Sequence, residues 1–178
     1  MIHPVSQGPV TRYFYDCEFI EDGRTIELVS IGVAADDGRE YYAISAEFDP
    51  GRAGLWVRRN VLDKLPGPAD RAWRSRARIR DELAEFFAAG AGSVELWAWY
   101  AAYDHVVLAQ LWGDMPALPR TIPRFTRELR QHWEQAGCPP IPESGGDQHH
   151  ALADAKLGLA RWRAIEASTA DAGTSTDS

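Results

Sequence analysis

Four acids and one histidine carry the chemistry that this sequence could do. Asp16 and Glu18 stand two apart in Tyr13-Phe-Tyr-Asp-Cys-Glu-Phe19, an aromatic run that reads as a buried strand. Side chains on a strand alternate faces, so both carboxylates point the same way, with Cα atoms roughly 6.6 Å apart. Two ionised acids on an apolar strand each cost several kcal/mol unless a cation lies between them. A divalent metal meets that need, and so does a set of arginines. Asp104 and Asp154 are further candidates, and His149 lies five residues before Asp154. Carboxylates are the hard oxygen ligands that Mg²⁺ or Mn²⁺ prefers. An imidazole can accept a proton near neutral pH.

The elements that must position these groups follow from the pattern. Arg12 to Ile20 forms the first strand. Glu21-Asp-Gly-Arg24 turns the chain into a second, well-buried strand over Thr25–Ala35. Asp36-Asp37-Gly38 is a hairpin signal. Arg39–Ala46 alternates as a third strand, completing an antiparallel meander. Phe48 to Asp70 is a long irregular connection with a short helical turn near Val57–Lys64, and connections this long are often functional. Ser75 caps a helix running to about Ala89. Val94–Tyr100 is an apolar fourth strand, covered on both faces. A helix begins at Tyr103 and puts Asp104 in its first turn, just past the end of a central strand, where open α/β sheets place their sites. A short fifth strand is expected around Thr121–Phe125, then a helix capped by Thr126 and ending near Ala136. The last helix starts near His150 and ends near Ala167.

The expectation is one α/β domain over residues 11–167. Residues 1–10 read as a flexible leader and 168–178 as a disordered tail. The central sheet is mixed and five-stranded, the three-strand meander plus two parallel strands, with helices on its flanks. A net charge of −7 argues against a general nucleic-acid coat but leaves room for a local basic rim. Cys17 and Cys138 show no metal-ligand spacing and read as reduced thiols of a cytoplasmic protein. No apolar run approaches a membrane span.

Taken in order, the set is Asp-x-Glu on an opening strand, Asp at a strand-to-helix junction, and His149-His-Ala-Leu-Ala-Asp-Ala155 at the start of a late helix. It resembles the three motifs of the DEDD exonuclease superfamily in its histidine-bearing (DEDDh) branch, over roughly Tyr13 to Arg163. Tyr13 to Gly23, Trp97-Ala-Trp99 and Pro123-Arg-Phe-Thr-Arg-Glu-Leu129 look like the small actinobacterial polyadenylate-specific 3′-exoribonucleases of the RNase AS type. The resemblance implies an RNase H-like fold, two divalent ions (Mg²⁺ or Mn²⁺), 3′-5′ hydrolysis of RNA with a preference for adenylate, and a homodimer. By the same resemblance Asp16 bridges both metals, and Glu18 and Asp154 hold the one that carries the attacking water. Asp104 supports the second, and His149 is the general base.

Two metals about 3.5–4 Å apart suit a phosphodiester, because they bind its phosphate, activate water and stabilise the leaving 3′ oxygen. Cys17 and Phe19, interleaved with the acids, are the substrate-binding candidates. Trp56, Trp73 and Trp99 are further candidates for base stacking, although most aromatics are core. The competitor for the base is His150, at the spacing where some superfamily members carry Tyr. Ser30 stands where many relatives have Glu. The other readings are a DNA or short-oligonucleotide exonuclease with the same metal site, a silent RNA-binding module, and a structural protein whose acids form salt bridges.

Overall fold

Strand β1 (Val10–Glu21) runs through the middle of the protein, with its aromatic side chains buried on both faces. The computed structural model describes residues 8–145 and 149–174. Most of the expected leader, residues 1–7, lies outside the described residues. Pro9 is already held, since its carbonyl accepts from the Ser93 N–H at 2.9 Å.

β1 pairs antiparallel with β2 (Ile26–Ala35), which pairs antiparallel with β3 (Glu40–Ser45). The meander is as the alternation predicts, and its hairpin closes at Gly38 with φ +93°, a conformation that favours glycine. On its other side β1 pairs parallel with β5 (Ser93–Ala98). The sheet has six strands rather than five, in the order β4-β3-β2-β1-β5-β6. The additions are two-residue edges. β4 (Trp73–Arg74) lies parallel to the end of β3, and β6 (Arg127–Glu128) lies parallel to the end of β5. Such short edges carry no readable period. The fifth strand expected over Thr121–Phe125 forms instead at β6. Pro119 turns that segment, with its carbonyl accepting from the Ile122 N–H at 3.0 Å, and Pro123 has no N–H to give a ladder.

Helices cover both faces. α2 (Arg76–Ala88) starts at the expected cap, where the Ser75 hydroxyl accepts from the Arg78 N–H. With α3 (Ala101–Ala109) it buries one face over Tyr13, Tyr15, Cys17 and Leu96. α4 (Leu129–Gln135) and α5 (Ala151–Thr174) cover the other over Phe14, Ala34 and Trp97. α4 is capped by Glu128, not by Thr126, whose hydroxyl instead bonds the Tyr15 hydroxyl at 2.6 Å and His105 Nδ1 at 3.0 Å. α1 (Leu55–Asn60) sits in the long connection, as expected. The polar stretch read as a disordered tail is helical as far as Thr174, and 175–178 lie outside the described residues. Extending a formed helix through Ala and Thr costs little once its nucleus is docked. Among the described residues no helix is long and apolar enough to cross a membrane.

Candidate active site

β5 ends at Ala98, and its register with β1 ends at Phe14↔Trp97. The second half of β1, which carries both acids, therefore has an open edge at the carboxyl end of the parallel strands. The first turn of α3 fills it. Asp104 is 5 % exposed, and its Oδ1 accepts the Cys17 main-chain N–H at 2.8 Å, taking the place of the missing strand neighbour.

α3 is itself pinned from below. Tyr100 adopts a left-handed conformation (φ +64°) at the helix entry. The Glu128 carboxylate accepts from the main-chain N–H groups of Tyr100 and Ala101 at 2.9 and 2.8 Å. These are donors that a helix N-terminus leaves without partners. Glu128→Ala is expected to cost about 1–2 kcal/mol in urea unfolding, the usual loss for a removed cap with charge-assisted bonds.

The third acid arrives by close packing. Gly32 on β2 faces Asp16 in register, and a β-carbon there would lie 2.2 Å from the Leu152 nitrogen and 2.3 Å from the Ala151 carbonyl carbon. The first turn of α5 thus rests backbone to backbone on the sheet, which lowers Asp154 onto β1. One carboxylate oxygen from each of Asp16, Glu18 and Asp154 lies within 4.8 Å of the other two. The His149 N–H donates to Asp154 Oδ2 at 3.0 Å, with His149 at φ +68°. Its ring meets Trp56 edge to face, centroids 4.7 Å apart. His150 is engaged elsewhere. Its ring stacks on Tyr42 and its Nδ1 accepts the Ala153 N–H at 3.4 Å, as a helix cap does.

The arrangement repels protons poorly and metal ions not at all. Burial, then Asp104, Glu18 and Asp154, push the Asp16 carboxyl well above the usual range. Burial and the neighbouring Asp154 and Asp104 lift Glu18 to about 7, against the opposing pull of Lys64. Burial lifts Asp104 to about 7 despite the Cys17 N–H bond, and burial also raises Asp154. Among the described residues none of the four acids forms an ion pair with an arginine; the arginines pair elsewhere, as Arg12 does with Asp36 and Glu95. Three hard oxygen donors facing one point without a guanidinium suit a divalent cation in both charge and softness. Asp104 stands behind this group, close enough to raise two of its members.

Asp16, Glu18 and Asp154, but not Asp104, line a cleft of about 440 Å³ that also takes in Trp97, Trp99, Tyr100, Ser144 and Arg161. Cys17 borders it, with its thiol buried in the core beneath. Phe19 lies on the opposite face of the sheet, stacked on the half-exposed Tyr103 ring at 5.7 Å and 8°. Trp56 is 58 % exposed beside His149. Trp73 is held by structure, its Nε1 donating to the Pro66 and Gly67 carbonyls and its ring on Phe48. Ser30 is buried opposite Glu18 in register. Sequence reasoning missed Gly32, Glu128 and Tyr103. Only Glu128 left a trace, inside the Pro123–Leu129 motif.

The likeness of the chain to known proteins agrees with this geometry. Two Mycobacterium tuberculosis proteins, 3′-5′ exoribonuclease Rv2179c of strain H37Rv and 3′-5′ exoribonuclease MT2234.1 of strain CDC 1551, are each 65% identical to it over 163 residues, covering 91% of this chain and 96% of theirs. The solved structure of S. pombe Pop2p, in a form with Mg²⁺ and Mn²⁺ bound, superposes with a TM-score of 0.51 at 12% identity, covering 90% of this chain and 82% of that one. That likeness shows the RNase H-like fold. Residues 11–166 match the model of the 3′-5′ exoribonuclease Rv2179c-like domain, and the chain belongs to that family.

Proposed function

We propose that this protein hydrolyses RNA from its 3′ end, one nucleotide at a time, as a DEDDh exonuclease of the RNase AS type. The observation that carries the reading is the meeting of Asp16, Glu18 and Asp154 oxygens within 4.8 Å, beside His149. Asp16, Glu18 and Asp154 would hold one Mg²⁺ or Mn²⁺, and Asp16 and Asp104 would support a second. Two such ions, when bound, supply Lewis acidity to the phosphate, a more acidic water and a partner for the departing oxygen. His149 accepts the proton of the attacking water, and its N–H bond to Asp154 keeps base and carboxylate in one frame. The water oxygen bonds to phosphorus, the bond to the 3′ oxygen breaks, and the terminal residue leaves as a 5′-monophosphate. Trp56, beside His149, offers a ring to bases next to the reacting end, whereas the Phe19–Tyr103 stack lies across the sheet and could meet only a more distant part of the strand. The cleft side of Cys17 contributes to the substrate surface.

The preference for adenylate and the homodimer rest on the motif resemblance, and the cytoplasmic location on the reading of Cys17 and Cys138 as reduced thiols. Leu55 and Phe125, both exposed, are apolar surface that a second copy could cover. The test is a 5′-labelled RNA with an adenylate tail, incubated with Mg²⁺ or Mn²⁺ and either wild type or Asp16→Ala. A one-nucleotide ladder with wild type alone is expected, faster on adenylate than on cytidylate or uridylate tails. Intact RNA with wild type and both metals would overturn the reading.

A further inference from the structure

Arg161 is the one arginine lining the cleft that holds the acids, among the described residues. It lies on α5 seven residues after Asp154, about 10 Å along the helix axis and on the same face. Its guanidinium is fixed rather than loose. The Nε–H donates to the Pro142 carbonyl at 3.1 Å, and the guanidinium carbon sits 4.4 Å from the Trp99 ring centroid. That leaves the two terminal nitrogens to face a ligand. Arg130 flanks the same ring and makes a contrast: it is neutralised by Glu134 at 2.9 Å and tied to the Tyr100 hydroxyl. Arg161 makes no ion pair among the described residues, and burial works against its charge. A half-buried, oriented guanidinium in this cleft, with no direct ion pair and only the longer-range pull of Asp154 and Tyr100 on its charge, fits a bidentate phosphate partner.

We propose that Arg161 binds the phosphodiester adjacent to the scissile one, on its 5′ side. This inference rests on the exonuclease reading. The scissile phosphate belongs at the acids, and the 3′-terminal nucleoside carries no further phosphate. The next anion available to a cation farther along the cleft is therefore the linkage between the second and third nucleotides from the end. Arg161 holds the strand in register there, and carries no base information.

Substrate length provides the test. A diadenylate with a 5′ hydroxyl contains only the scissile linkage, and a triadenylate adds the proposed one. In single-turnover kcat/KM, Arg161→Gln is expected to lower the triadenylate-to-diadenylate ratio about tenfold, and Arg161→Lys to restore part of it. Placing a neutral methylphosphonate at the added linkage should cost wild type the same factor and Arg161→Gln almost nothing further. The slope of log kcat/KM against log salt on the triadenylate should fall by about 0.7 with the variant, the contribution of one single-strand phosphate. Equal losses on both lengths would show that Arg161 only props Trp99, and would overturn the inference. So would losses from the variant and the methylphosphonate that simply multiply. Failure of wild type to cleave either substrate would instead overturn the exonuclease reading, and the inference with it.

Discussion

Asp16→Asn is expected to abolish turnover, by roughly 10³-fold or more, while making the metal-free protein more stable at neutral pH. The two effects have opposite signs because one carboxylate serves both. In the apo fold Asp16 is crowded by Asp104, Glu18 and Asp154, and its charge is a liability. The pH dependence follows from Glu18 and Asp104, both lifted to about 7 from ordinary values near 4. Between those limits the folded state keeps protons that the unfolded chain has released. Stability therefore falls as pH rises, the reverse of a salt-bridged acid, by on the order of 3 kcal/mol for each of the two groups across pH 4 to 7. Urea unfolding in EDTA at pH 5 and pH 8 checks both claims. Wild type should lose stability between them, and Asp16→Asn should lose less. Added Mn²⁺ should stabilise wild type at pH 8 and leave the variant unmoved. An apo protein that gains stability over the same range would mean that the acids are paired by cations of the protein, as a purely structural reading requires.

Gly32→Ala carries the second large effect, although Gly32 bears no chemistry. A β-carbon 2.2 Å from a main-chain nitrogen must displace backbone, since no flexible side chain is there to yield. The first turn of α5 has to lift by about 1 Å, taking Asp154 and His149 with it. A shift of that size typically costs about 10²-fold in rate, and overpacking of this kind costs about 1–3 kcal/mol in stability. The measurement is kcat on adenylate RNA alongside the metal-induced rise in Tm, and both should fall together. Normal metal stabilisation in a folded Gly32→Ala protein would show that α5 can settle elsewhere without moving Asp154.

The residues proposed for the chemistry were legible because their types are costly anywhere else. Asp16 and Glu18 in an aromatic strand, or Asp104 after an apolar one, need a reason to be there, and the strand and helix periods say which way they point. The supports were not legible, because each depends on a neighbour far away in sequence. Glu128 looks like any exposed acid until Tyr100 and Ala101 present their N–H groups to it. Gly32 looks like a tolerated glycine in a strand until α5 lies across it. Thr126 has the composition of a cap, and its hydroxyl is taken by Tyr15 and His105. The edge strands β4 and β6 are two residues long, too short for a period of two to show. The continuation of α5 past Ala167 was hidden by polar composition, which reports solvent exposure and not loss of helix.

The backbone seat of α5 on β2 also sets when in the life of the chain the site exists. Asp16 and Glu18 share one strand and are synthesised well over a hundred residues before His149 and Asp154, which reach them only when α5 docks. A chain still emerging from the ribosome, or a copy truncated before His149, lacks the third carboxylate and the histidine together. The hydrolysis proposed for these acids is therefore withheld, by topology, from any copy in which α5 has not docked. A protein that destroys RNA could thus be made safely on an RNA template.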